Sequence, residues 1–424
     1  MEHYDVVVVG AGLAGLVAGA TAAGTGVSTL ILDGHLPGGR ASTDVKGRYR
    51  FNRGAHGQFQ GGENTAVLGR LGVSVPGAPA PFELARGRVG DQVDFLPSNT
   101  RTLLRTTLVG ARGKLALARL MAGAKRWQPE RVAGLTIAEW LDGFHLPDDA
   151  RALMRMLVRT ATYVQDDDHV SADVAVTQIR LALTHGAHYV HGGWATLVDG
   201  LITAARRNGA EVRTGQSVTS VGASGAGVAV VADGQEISAG AVVLAAGTPD
   251  AAAVVLDRRP EAWAGLGPQV EVSCLDLGLR ARPAQPVLYA IDRPIYLADH
   301  ATRAEGLCPD GGGLVHVLRY LAQGEEIPVD TLRESMEEHA RYAGVDPAMI
   351  EERRFLHRMT VVGATPTPAT GGLAGRPGVD STGVPGVYVA GDWVGPRGWL
   401  SDCTMSSGEA AGVECRLPAL LRGQ

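Results

Sequence analysis

Gly10, Gly12 and Gly15, set directly behind Val6-Val-Val-Val9, are the residues whose type and spacing most clearly imply chemistry. Four consecutive valines read as a buried parallel strand, apolar on both faces and ended by glycine. In such a strand–turn–helix the first glycine permits the tight turn and the second lets backbone approach a pyrophosphate. The third lets the helix pack on the strand. Backbone from Gly10 and Gly12 through Leu13, Ala14 and Gly15 then offers free N–H groups at the positive end of a helix. A second strand, Ser28-Thr-Leu-Ile-Leu-Asp33, ends in an acid 23 residues after Gly10, the place of a ribose-binding carboxylate. An acid here favours a free ribose diol over a 2′-phosphate. Near the other end of the chain, Gly386-Val-Tyr-Val-Ala-Gly391-Asp392 reads as a strand closing in Gly-Asp, followed by the small-residue helix of Cys403 to Gly412. The two ends together predict FAD.

Other chemistry-bearing residues are sparse. His56, in Gly54-Ala-His-Gly, reads either as a polar group near the flavin or as a histidine that orders its loop. His185, His188 and His191 have no carboxylate or cysteine partner at metal spacing. Asp166-Asp-Asp-His169 reads as a solvated turn, without the glycine of a calcium loop. Cys274, Cys308, Cys403 and Cys415 form no Cys-x-x-Cys pair, so no metal is expected and a reducing, cytoplasmic compartment is.

With Leu36-Pro-Gly38-Gly39-Arg40-Ala41 and Phe51-Asn-Arg-Gly54-Ala-His56-Gly, these segments resemble the flavin amine oxidase, protoporphyrinogen oxidase and carotenoid (phytoene) desaturase superfamily. Tyr189-Val-His-Gly192-Gly193-Trp resembles its central glycine-pair segment, and Ala241 to Gly247 the strand that closes its dinucleotide domain. The resemblance runs from one end of the chain to the other. It implies that Gly39, Arg40 and Ala41 lie beside the pyrophosphate and flavin, that Val218 meets the adenine through its backbone, and that Asp392 holds the ribityl or pyrophosphate region. The helix entered through Leu400 and Ser401 would aim its N-terminus at the flavin pyrimidine edge, where negative charge develops on reduction. Cys403 follows the Gly-Asp segment, whereas the cysteine that binds FAD covalently in some relatives precedes it, so non-covalent FAD is expected. Gly398-Trp399-Leu400-Ser401 stands where amine oxidases carry a flavin-flanking tyrosine. Trp399 and Trp393 read either as pocket walls or as buried packing, and Trp399 joins His56 as a catalytic candidate.

The elements that position these residues form an α/β chain, a Rossmann-type FAD-binding domain (parallel sheet) with a discontinuous α+β substrate domain. Residues 1–75, 190–260 and 375–424 carry the cofactor signatures; residues 76–189, mainly helical, and 261–374, strands then a helix at Val329 to Tyr342, form the substrate domain. At 424 residues and 45% hydrophobic content the chain can bury a large core, and a net charge of −5 gives no support for nucleic-acid binding, so no nucleic-acid partner is expected. Val6 to Val9 runs straight into the glycine turn, so the N-terminus reads as a strand and not a signal peptide. Between Asp94 and Glu130 there is no acid, while Arg101, Arg105, Arg112, Lys114, Arg119, Lys125 and Arg126 are interleaved with leucines. That stretch reads either as a peripheral contact with an anionic membrane or as solvated helices with leucines turned inward.

The leading expectation is a desaturase-like or dehydrogenase-like enzyme. It would move hydride from a small hydrophobic substrate, an isoprenoid for example, to flavin N5, and then electrons to oxygen, a quinone or another acceptor. One alternative is a flavin amine oxidase that releases hydrogen peroxide. The other is a lipid-escort protein on the same fold that performs no chemistry.

Overall fold

The β-branched run at the N-terminus forms the Glu2–Val9 strand, whose four valines are buried. Val6 and Val8 enter one apolar core and Val7 and Val9 another, because successive side chains leave opposite faces of a strand. The strand lies between two parallel neighbours, Thr29–Asp33 and Gln235–Leu244; Glu211–Thr214 pairs beyond the first and Val387–Val389 beside the second. Gln235–Leu244 also pairs antiparallel with Gly227–Ala232, which pairs in turn with Val218–Ser224. The Rossmann-type sheet is thus parallel around the glycine turn and antiparallel at one edge. The computed structural model describes residues 2–225 and 227–416; the last eight positions of the segment expected at 375–424 lie outside the described residues.

The Leu13–Ala23 and Ser401–Glu414 helices pack closely on this sheet. A Cβ built on Gly408 would stand 2.5 Å from the Ala14 carbonyl oxygen, and one on Gly412 2.5 Å from that of Ala18. Because these contacts advance together along both helices, the two run parallel and their positive ends point the same way.

A second sheet has the strand order Ile350–Val362, Val270–Leu279, Gly313–Leu321, Ile295–Asp299, Val287–Ala290, Arg86–Val89 and Gln92–Phe95. Period-two alternation divides its side chains. Leu275, Leu277, Leu297 and Val317 pack with Leu332 and Met336 of the Val329–Tyr342 helix, while Cys274, Tyr289, Tyr296 and Tyr320 face the other way. The helices Ala111–Gly123, Asp148–Thr162 and Ala172–His185 contribute to that second core.

One feature differs from the sequence reading. The segment at 76–189 is mainly helical from Thr100 to His185, but it also supplies the hairpin Arg86–Val89 and Gln92–Phe95 that extends the second sheet. The basic stretch holds two α-helices, Thr100–Arg105 and Ala111–Gly123. Asp94 accepts from the Thr107 N–H at 2.7 Å and Asp149 from the Gly110 N–H at 2.6 Å, which holds the link outside a helix. No helix among the described residues is long and apolar enough to cross a membrane.

Candidate active site

Two glycine turns stack at the end of the parallel strands. Gly38 donates its N–H to the Ala11 carbonyl at 2.8 Å, and a Cβ on Gly39 would lie 3.9 Å from the Gly12 Cα. Gly10, at φ 105°, adopts a backbone that other residues rarely do, and a Cβ there would stand 2.5 Å from the Ala245 carbonyl oxygen. A Cβ on Gly12 would meet nothing within 4 Å. Gly12 caps the Leu13–Ala23 helix without a side-chain bond, so the first-turn N–H groups at Leu13, Ala14 and Gly15 remain available to an anion. Asp33 accepts from the Ala11 N–H at 2.7 Å and the His35 N–H at 2.8 Å, which leaves each oxygen a lone pair for a ribose hydroxyl. Val218 lies close by: Gln216 donates its N–H to the Asp33 carbonyl at 3.0 Å, two residues before Val218 opens its strand.

Arg40 and Asp392 join the two ends of the chain. Arg40 Nη1 donates to Asp392 at 2.6 Å and to the Val361 carbonyl at 2.7 Å, while the other Asp392 oxygen accepts from the Gly363 N–H at 3.1 Å. Asp392 is buried and Arg40 half-exposed. Ala41 is buried beside them and, with Gly39 and Arg40, forms a single helical turn. Gly391 donates to Ser407 Oγ at 3.0 Å, tying the Gly-Asp segment to the Ser401–Glu414 helix. Leu400 introduces that helix at φ 54° and ψ −127°, a strained conformation for leucine of the kind that clusters at functional sites. Ser401 Oγ accepts from Asn64 at 3.1 Å, and the helix start carries no side-chain cap. Burial raises the Cys403 thiol to about 11, and the thiol sits 3.3 Å from the Val394 carbonyl.

A cavity of about 1020 Å³ opens between the second sheet and the helices of residues 100–185, with Ala55 and Gly57 at its edge. One wall is aliphatic: Leu117 and Met121, Leu153 and Leu157, Ile179 and Leu183, from three helices. The other is aromatic, with Tyr163, Tyr189, Tyr289, Tyr296 and His300. Tyr289 and Tyr296 stack at 5.5 Å, Tyr189 and His300 at 4.0 Å, and the Tyr163 hydroxyl donates to the Ala55 carbonyl at 2.5 Å. Burial pushes all four tyrosine hydroxyls above their ordinary range, that of Tyr163 to about 12, so they are neutral donors at physiological pH. Among the described residues no aspartate or glutamate lines the cavity, whereas Lys125, Arg126, His185 and His188 do. The low aromatic content therefore misleads about this site, because the few tyrosines are concentrated there.

Of the two catalytic candidates, Trp399 is fully buried and its indole N–H donates to the Thr162 carbonyl at 3.0 Å. It packs there and is not among the residues that line the cavity. Trp393 packs edge-to-face on Trp263 at 4.9 Å. His56 lies against Trp194 at 4.6 Å, its Nδ1 3.0 Å from the Gly54 carbonyl, and burial lowers its pKa to about 4. It is neutral at physiological pH, and its flanking residues Ala55 and Gly57 line the cavity.

Sequence reasoning found no acid–base pair; the structure holds one. On the cavity-side face of the second sheet, His316 Nδ1 lies 2.5 Å from Asp276 Oδ1 with both side chains fully buried. Cys274 donates to the same oxygen at 2.9 Å, and Arg354 Nε donates to the other at 2.8 Å. The ligand-type atoms of Cys274, Asp276 and His316 lie within 4.8 Å of one another. Burial holds the thiol well above its ordinary range, and Arg354 occupies the carboxylate, so the set is a hydrogen-bonded network and not a metal site. The available signal was a polar residue at an inward position of an apolar strand, Asp276 in VEVSCLDLGL and His316 in GLVHVLRYL.

The parallel sheet and the stacked glycine turns form the frame of a dinucleotide-binding protein. The chain belongs to the flavin containing amine oxidoreductase family, whose model matches residues 13–413. It is an FAD-dependent oxidoreductase, which sets aside the lipid-escort alternative. Among solved structures it is similar to an oxidoreductase from Methanosarcina mazei, at 20% identity and TM-score 0.72 over 96% of this chain and 99% of that one. It is similar to the cyclohexylamine oxidase of Brevibacterium oxydans, at 17% identity and TM-score 0.72 over 99% of each chain. A putrescine oxidase bound to putrescine matches at 16% identity and TM-score 0.72, over all of this chain and 99% of that one. No curated protein sequence matches. At these identities the likeness establishes the fold.

Proposed function

We propose that this enzyme dehydrogenates a hydrophobic substrate that carries no obligatory positive charge, an isoprenoid-like molecule for example, in the cavity between the tyrosine wall and the three helices. The observation that carries this reading is the lining: aliphatic on one side, aromatic on the other, and, among the described residues, without a carboxylate to receive an ammonium group. FAD supplies the hydride acceptor when bound. It would be held by the first-turn N–H groups of Leu13–Ala23 at its diphosphate, by Asp33 at its ribose and by the start of Ser401–Glu414 at its flavin end. The aliphatic wall orients the substrate and excludes water, and the neutral tyrosine hydroxyls offer donors without adding charge. Anaerobic mixing with apolar polyenes and with a panel of amines tests the reading. Flavin bleaching by the former supports it, and rapid bleaching with peroxide release by simple amines overturns it.

An amine oxidase reading is favoured by one observation, the tyrosine wall, since aromatic faces attract cations. The peroxide arm of the same experiment decides between the two.

We further infer a peripheral membrane contact at Thr100–Arg105 and Ala111–Gly123. Leu104 is 70% exposed and Leu115 53% exposed on these helices, and Leu103, Leu117 and Met121 of the same helices line the cavity. None of the seven basic residues from Arg101 to Arg126 is ion-paired among the described residues. An anionic, apolar surface complements that face and would deliver a lipid-like substrate to the opening.

A further inference from the structure

We propose that the substrate is an apolar molecule with an anionic end, a carboxylate or a phosphate, which Lys125 and Arg126 hold at the mouth of the cavity. The inference deepens the reading above and rests on it for one point only, that this cavity is the substrate chamber.

The lining changes character with depth. Leu153, Ile179, Tyr289, Tyr296 and His300 are buried and form an interior without charge. Burial keeps the two tyrosine hydroxyls protonated and is the main cause that keeps the His300 ring neutral. The rim is exposed, and Lys125 and Arg126 stand on it. They belong to the single turn Ala124–Arg126, which packs against the Ala172–His185 helix, whose Leu183 and His185 also line the rim. The backbone of that turn is anchored on both sides. Ala124 is fully buried, and Trp127 packs edge-to-face on Trp140 at 5.1 Å.

Both cations lack a protein partner. Among the described residues neither is ion-paired, and no acid lines the cavity. Glu83, next to Phe82 of the rim, is paired with Arg303. The chain as a whole is acidic, at −5, so positive charge at this opening is not a general property of the surface. Nor is it the basic stretch as a whole. Of the seven bases from Arg101 to Arg126, Lys125 and Arg126 line the cavity, while Lys114 donates to the Leu104 carbonyl at 2.9 Å and Arg105 lies over the Phe95 ring at 5.0 Å.

The chemistry of the two zones fixes how a ligand enters. An anion carried into the interior would lose its hydration with no cation there to replace it, whereas an apolar chain gains by leaving water. At the rim the anion keeps part of its water and meets both cations. The planar fork of arginine suits the oxygens of a carboxylate or phosphate, and the lysine ammonium adds a point charge. The apolar end therefore enters first and is the end presented to the interior. An ammonium group at the other end would meet two like charges.

Calorimetric titration of the holoenzyme at neutral pH, without vesicles, tests the proposal with decanoate, decyl phosphate, decanol and decylamine, each kept below its micelle concentration. At least one of the two anions should bind about tenfold more tightly than decanol, the size of two exposed ion pairs, and decylamine more weakly than decanol. A gain shared by both anions assigns negative charge in general, and a gain confined to one narrows the class to it. Lys125→Gln with Arg126→Gln should bring the anions to the affinity of decanol and leave decanol binding and the melting temperature unchanged. Anions that bind no more tightly than decanol, or decylamine binding more tightly than either, overturn the proposal. So does an anion preference that survives the double substitution, even where liposome binding is lost, because the two cations then serve the membrane alone. Decanol binding without anion preference sinks this proposal and leaves the chamber standing, and no binding by any of the four sinks both. Anion-selective binding without flavin bleaching by apolar polyenes sinks the dehydrogenation reading alone.

Discussion

Gly12 and Gly15 share one turn, yet substitutions there should separate binding from folding. A Cβ on Gly12 meets nothing within 4 Å, and the backbone there, φ −75° and ψ −178°, suits any residue. Gly12→Ala should leave the apoprotein as stable as the parent, or gain about 0.4–1 kcal/mol from the reduced freedom of the unfolded chain. Its methyl group, and more so the isopropyl of Gly12→Val, projects into the space where a diphosphate approaches the helix. Losing two charge-assisted backbone hydrogen bonds at about 1.5–3 kcal/mol each weakens FAD by roughly 100-fold or more. Gly15 behaves differently, because a Cβ there would lie 1.8 Å from the Gly10 carbonyl oxygen. That oxygen is backbone and cannot rotate away, so Gly15→Ala should cost about 3 kcal/mol or more. Urea unfolding of the apoproteins by circular dichroism gives the stabilities, and quenching of flavin fluorescence gives the affinities. Full FAD affinity in Gly12→Val, or apoprotein destabilisation in Gly12→Ala equal to that in Gly15→Ala, would refute the geometry of the turn.

Asp392→Ala leaves the buried Gly363 N–H unsatisfied, at about 1–3 kcal/mol, and releases a half-exposed Arg40 whose pairing is worth about 1 kcal/mol. Apoprotein stability should fall by about 2–3 kcal/mol and FAD should bind more weakly, and unchanged unfolding and titration curves would dismiss the clasp. Burial lowers His339 to about 4 against the raising effect of its contact with the Leu288 carbonyl, with Arg88, Glu338 and Asp292 as lesser influences. The unfolded chain takes up a proton below about pH 6.5 that folded His339 refuses, so its contribution is complete above that pH and fades as pH falls toward 4. The loss should approach about 1.4 kcal/mol per pH unit, and a His339→Leu variant whose stability tracks the parent through that window would contradict it. Leu104→Glu with Leu115→Glu should abolish co-sedimentation with anionic liposomes at low salt, and a parent protein that stays in the supernatant would rule out the membrane contact.

The sequence by itself determined the dinucleotide turn, because every interaction that defines it is local. Strand, glycines and helix lie within Val6 to Ala23, and Asp33 closes the turn one strand later through the Ala11 N–H. The Val270–Leu279 strand and Val329–Tyr342 helix were legible for the same reason, since periodicity is a property of neighbours. The active centre was not legible. Tyr163 comes from the left-handed end of a helix, Tyr189 from a small three-stranded sheet, and Tyr289 and Tyr296 from adjacent strands of the larger one. Trp399 read either as a wall or as packing, and only the fold shows it buried against Thr162. Asp276 and His316 stand 40 residues apart and meet only because their strands pair antiparallel in a register that sets them opposite. Register and packing are set by the whole core, so the tertiary structure alone decided which polar side chains share the cavity face.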